Sequence, residues 1–355
     1  MTGSTNSGYI AARIYGMRSR LLKTEDYKEL NASTDMDSLI TSLRGTTTYK
    51  QALEEALLLE DPLTAIDSAI NNVLSRRMKR ILNFTGGDYH KTFKMMSLRW
   101  EVSNVHLAIR SIIERTEFPL NFIPLGPLDI DELIYITKVP NLTEALRYLE
   151  STLNPLATPV RTIIDEKIPP SDLNAIDGVF NQFYQQLMSN QLEEIEDNQI
   201  LDIMRKMILE EREFENVKFI LNLIGKISRG TLIPSTDFNS IIFPGKARIR
   251  AEEVEKATRS KDINSLRMIL QRTTYREVFK EILDIGSSHA LQQNVEEVER
   301  LFYANQVRKR FRKHTFNLGL AYFWQMVLEA RNLRIITHGI ETFTRQETLR
   351  RMIYA

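Results

Sequence analysis

One short pattern recurs three times and sets the scale on which this chain is built. Glu101-Val-Ser-Asn104-Val-His-Leu-Ala108, Glu213-Phe-Glu-Asn216-Val-Lys-Phe-Ile220 and Glu329-Ala-Arg-Asn332-Leu-Arg-Ile-Ile336 share the form Glu-x-x-Asn-apolar-basic-x-apolar. Their asparagines lie 112 and 116 residues apart. Upstream of each stands a second recurring start: Leu63-Thr-Ala-Ile66-Asp67, Leu173-Asn-Ala-Ile176-Asp177 and, more loosely, Val295-Glu-Glu-Val298-Glu299. A third set opens with acids, at Thr24-Glu25-Asp26-Tyr27, Asp131-Glu132-Leu133 and Glu252-Glu253-Val254. Thr48-Tyr49 returns as Thr274-Tyr275. Motifs in the same order at similar spacing identify an internal repeat, each copy a small unit that buries an apolar stripe within itself and against its neighbours. The three units are placed at 1–119, 120–237 and 238–355.

The units are helical. Apolar residues recur three and four apart, as in Ile66, Ile70, Val73 and Leu74, or Ile200, Ile203, Met204 and Met207, which sets them on one stripe of a helix. Period-two alternation is scarce. Fourteen glycines and eleven prolines are few against ordinary usage of about 12%. They gather at Phe84–Asp88, Phe118–Pro127, Pro169–Pro170, Gly230–Pro234 and Phe243–Gly245, which read as turns between helices. Tyr9-Ile-Ala-Ala-Arg13-Ile14 resembles an asparagine-motif helix without its partner, and Phe343–Leu349 resembles another acidic-apolar start. The fold class is all-α, in three pseudo-repeated helical bundles whose matching ends suit closure into a three-lobed ring or funnel, with an open arc as the other arrangement.

Composition removes several functions. Lys and Arg total 47 against 46 Asp and Glu, without the basic excess of a dedicated nucleic-acid binder. There is no cysteine, so disulfides, thiolate metal sites and Cys nucleophiles are excluded, and a reducing cytosolic setting fits. Residues 1–8 do not read as a secretory signal. The longest apolar-looking stretch, Val217–Ile227, is interrupted by Lys218, Asn222, Gly225 and Lys226, far from the roughly 20 apolar residues a membrane span needs.

Catalytic patterns are missing too. Neither Gly225-Lys226 nor Gly245-Lys246 has the Ser or Thr and the earlier glycine of a phosphate-cradling loop. The five histidines, at 90, 106, 289, 314 and 338, never fall three or four apart, the spacing of a helical metal pair. No catalytic residue, metal ligand or cofactor site is assigned. The repeated acids and asparagines (Glu101, Asn104, Glu213, Asn216, Glu329 and Asn332) share a helical face and are read as architecture, tying neighbouring helices or a turn. Two basic clusters occupy matching phases ten residues after Ile66 and Val298: Arg76, Arg77, Lys79 and Arg80, then Arg308, Lys309, Arg310, Arg312 and Lys313. Such runs are either solvated faces or docking charges for an acidic partner. Aromatics are not interleaved with them as base-stacking would require.

The opening Tyr9-Ile-Ala-Ala-Arg13…Met17-Arg18-Ser-Arg20-Leu-Leu22, the closing Glu329–Ile336 and the tail Thr344-Arg-Gln-Glu347-Thr-Leu-Arg-Arg resemble the C-subunit family of prokaryotic A-type and V-type ATPases, which includes the d subunit of the eukaryotic V-ATPase. The resemblance runs over essentially the whole length. It implies a three-lobed funnel without catalytic residues, seated between the rotor shaft (the D and F subunits) and the membrane proteolipid ring on its cytoplasmic face. In that role a peripheral, non-catalytic adaptor passes torque between ATP chemistry and proton or sodium transport. The contrasting reading is a free-standing helical-repeat scaffold binding peptide or nucleic acid.

Overall fold

The structure, a computed structural model, describes residues 6–115, 121–152, 154–170, 172–230, 238–247, 249–279, 288–309, 315–344 and 346–353. Among them the secondary structure is helical and no β-strand occurs. After α1 (Ser7–Arg18) the helices follow a rhythm of short elements leading to two long ones. The first run is α2 (Thr24–Asn31), α3 (Met36–Gly45), α4 (Lys50–Ala56), α5 (Pro62–Phe84) and α6 (Gly87–Glu114). The second is α7 (Ile130–Lys138), α8 (Leu142–Ser151), α9 (Ala157–Asp165), α10 (Leu173–Glu193) and α11 (Asn198–Ser228). The third is α12 (Ala251–Arg259), α13 (Ile263–Leu270), a 3₁₀ turn at Arg276–Phe279, α14 (Ser288–Lys309) and α15 (Thr315–Glu341). The chain then adds α16 (Gln346–Met352).

The sequence dictates these boundaries locally. Aspartates 35, 61, 129, 172, 197 and 262 each accept the first free amides of a helix, satisfying donors that have no partner inside it. Pro62 follows Asp61 at the first helical position, where its missing N–H costs nothing. The acidic starts fall in the first turns of α2, α7 and α12, the end at which the helix dipole favours negative charge.

The chain forms two compact units. One comprises Met1–Tyr148 with Tyr303–Ala355, the other Leu149–Phe302. In the first unit α15 is the central element. Its face packs on α1 and α5, and its aromatics meet α6 through Tyr89–Phe316, Phe93–Phe316 and Trp100–Phe323, with ring centroids 5.4, 6.1 and 5.4 Å apart. Gly319 makes the approach possible: a Cβ there would stand 2.6 Å from the Phe93 ring. The first and last helices meet here, α1 on α15 and α16 on both α15 and α2. In the second unit α11 packs against α10, α12 and α13, and Phe214 stacks on Phe302 at 4.2 Å.

Candidate functional site

The repeated asparagines grip the chain just ahead of a proline. Asn104, on α6, donates through Nδ2 to the Ile123 carbonyl at 2.7 Å and accepts the Ile123 amide at 3.0 Å. Asn216, on α11, does the same to Phe243, at 2.7 and 3.3 Å. Ile123 precedes Pro124 and Phe243 precedes Pro244. A residue before proline is driven into an extended conformation, so its amide and carbonyl are lost to helical pairing and require another partner. One carboxamide supplies a donor and an acceptor together. A glycine follows in each loop and lies against the motif's acid: Gly126 over the Glu101 stem, Gly245 over the backbone of Glu213, with hypothetical Cβ contacts of 2.9 and 2.8 Å. Asn332, fully buried on α15, hydrogen-bonds the Tyr27 hydroxyl instead.

The acids reach further along the chain. Glu329 is 2% exposed and takes the Arg77 guanidinium at 2.5 Å, the Tyr49 hydroxyl at 2.6 Å and the Leu22 amide at 2.7 Å. Burial works against the charge of Arg77, but Glu329 outweighs it, so the arginine pKa rises. Burial first, then the Glu329 carboxylate, hold the Tyr49 phenol well above its ordinary range. In the second unit Glu213 accepts the Thr274 amide at 2.7 Å, and burial followed by Glu213 raises the neighbouring Tyr275 phenol. The Thr-Tyr pair that recurs in the sequence is therefore the counterpart of the repeated acid. Glu101 differs: among the described residues its carboxylate makes no hydrogen bond, and burial raises its pKa to about 7 against the pull of Lys94.

Asp67, which recurs in the upstream motif, is 3% exposed and faces α15, with Arg334 Nε at 3.7 Å and His338 Nε2 at 3.3 Å. Arg334 also bonds Asn71, which in turn donates to the carbonyls of Asn121 and Phe122. Spacing alone did not expose these residues, although the recurrence of Asp67 as Asp177 was a signal.

The first basic cluster divides. Arg77 does not belong to the surface expected of it: it is 6% exposed and committed to Glu329 and to the Arg20 carbonyl. The reason is helical phase, since successive residues are about 100° apart around the axis. Arg76 is half-buried, and Lys79 and Arg80 are exposed. Arg76 and Arg80 border a cavity of about 790 Å³ that Arg20, Lys23 and Tyr322 also line. In the second cluster Arg308 is exposed, while Arg310, Arg312, Lys313 and the Lys309 side chain lie outside the described residues. No group of three or more acids and histidines among the described residues is placed to hold a metal ion, and no helix among them is long and apolar enough to cross a membrane.

Against known proteins, residues 10–352 match the family described as ATP synthase (C/AC39) subunit. A curated relative, the C subunit of the A-type ATP synthase of Archaeoglobus fulgidus, is 25% identical over 252 residues, spanning 70% of this chain and 68% of the relative.

Proposed function

Because the chain belongs to the ATP synthase (C/AC39) subunit family, we propose that it is the non-catalytic central-stalk adaptor of a rotary A/V-type ATPase or ATP synthase. It joins the rotor shaft, built from the D and F subunits, to the membrane proteolipid ring on its cytoplasmic face. Torque crosses it, coupling ATP synthesis or hydrolysis to proton or sodium transport. The observation that carries this reading is a family match over nearly the whole chain. The triple short-to-long helix order supports three repeated bundles, at 1–119, 120–237 and 238–355, arranged as a three-lobed funnel. A torque-bearing part also needs stiffness, and the buried ties of Glu329 and Asn104 to distant segments supply it. The docking charges are Arg76, Lys79 and Arg80, with Arg308 and the basic residues 309, 310, 312 and 313; Arg77 acts as their internal support.

The experiment is purification of the tagged protein from its native membranes in mild detergent at low salt. Recovery with nucleotide-binding subunits, shaft subunits and a small proteolipid is the expected result. Recovery alone, or with nucleic acid, would overturn the adaptor role.

A further inference from the structure

We propose that the cavity of the first unit is a socket for an acidic segment of a protein partner. This inference rests on the adaptor reading and gives it a chemistry and an address. The cavity lies among the 19–23 loop, the turn after α3 and the exposed face of α5. Arg76 and Arg80, four residues apart, share that face about 6 Å apart along the axis. Arg20 and Lys23 come from the loop. None of the four is in an ion pair among the described residues, so their charge is available.

The rim is held in place from within. Arg77 Nη2 and Thr48 Oγ1 both donate to the Arg20 carbonyl, at 3.1 and 3.0 Å, while the Leu22 amide donates to Glu329. The ion pair beneath the cavity thus fixes the loop that carries the outer cations. The wall also contains an unfinished hydrogen bond. Tyr322 is fully buried and its hydroxyl has no partner; burial raises its pKa first, Glu329 adds to that, and Arg77, Arg80 and Arg20 pull against it. An orphaned hydroxyl costs free energy when buried, and an incoming acceptor would satisfy it.

The distribution of charge selects the occupant. Four cations spread over two elements suit carboxylates spaced along a chain better than one small oxyanion, which needs donors converging on a point. The volume of about 790 Å³ is also far larger than one oxyanion. Asp26 and Glu29 stand in the same wall. They repel a uniformly charged polyanion such as polyphosphate or nucleic acid, and they suit a peptide that carries polar or basic residues among its acids.

The test uses the full chain in its membrane complex. p-Benzoylphenylalanine replaces exposed Thr47 on the rim, and the photo-crosslinked product is sequenced by mass spectrometry. The expected product joins Thr47 to an Asp/Glu-rich segment of a neighbouring protein in the complex. In parallel, Arg20→Glu/Arg80→Glu should lower recovery of the complex about tenfold at moderate salt, while Lys28→Glu/Lys138→Glu, outside the cavity, leaves it unchanged. Tyr322→Phe should weaken recovery several-fold with the melting temperature kept or raised. If the wild type brings down no other part of an ATPase, the adaptor reading falls. If the complex is recovered but the crosslink reaches no acidic segment, or the Arg20/Arg80 pair behaves like the control pair, the socket alone is overturned. A crosslink abolished by millimolar inorganic tripolyphosphate assigns the cavity to a small anion and overturns the peptide.

Discussion

Placing Arg77 beside Glu329 exchanges two hydration shells for one short ion pair and the hydrogen bonds around it. Losing one partner of such a pair is far costlier than replacing both by apolar side chains. Glu329→Ala leaves a guanidinium buried without its counter-charge and should cost about 3–5 kcal/mol. The double variant Arg77→Met/Glu329→Leu should cost less than the two single losses added together, and urea unfolding at pH 7 measures all three. Strict additivity would sink the coupling. Glu101 stands at the same motif position without such a partner, and its folded pKa of about 7 lies above the ordinary 4.5. The folded state therefore binds more protons than the unfolded chain between those values, so stability falls as pH rises from about 4.5 to about 7 and then levels. For one group the slope is at most about 1.4 kcal/mol per pH unit. Glu101→Gln should flatten this window in a series of melts from pH 4.5 to 8; an unchanged slope would place the titration elsewhere.

An asparagine on a long helix does for a proline loop what a neighbouring strand does in a sheet: it satisfies both backbone groups of one residue. In the first unit the loop also receives Asn71 from α5, and the Pro124 carbonyl accepts Ser75 Oγ at 2.6 Å. Two long helices thus hold one connection between them. Asn104→Ala removes both hydrogen bonds to Ile123 and the longer one to the Leu125 carbonyl and leaves buried groups unmatched, a loss of about 2 kcal/mol. The amide of Ile123 should then exchange with solvent at least tenfold faster, and Asn216→Ala should do the same to Phe243, while amides in the middle of α5 keep their protection. Equal acceleration everywhere would mean that the asparagine supports global stability without acting on its loop. The recurrence of Glu-x-x-Asn was legible in the sequence, as was its placement on helices. The identity of the gripped residues was not, because Ile123 and Phe243 lie 19 and 27 residues downstream in stretches whose only local mark was proline and glycine.

At the scale of the whole molecule, partners are predicted to be held by exposed charge over a stiff interior. Charge reversal at Arg308, Arg310 and Arg312 should lower recovery of the complex most at low salt, with the deficit shrinking as salt rises, since exposed pairs are screened within about 10 Å at 0.1 M; a recovery indistinguishable from wild type at low salt would show these to be solvated faces. The sequence by itself determined the helical class, the helix starts and the triple order of elements. These follow from properties read along the chain: the 3.6-residue period, the capping side chains, and the spacing of motifs. Only the tertiary structure decided which members of a charged run turn inward. Arg76 and Arg77 are neighbours with the same side chain and both line the cavity, yet Arg76 stays half-buried with no ion pair among the described residues while Arg77 is buried in one. Their difference rests on Glu329, 252 residues away. Local pattern cannot carry that information, because the inward face of a helix is defined by whatever packs against it.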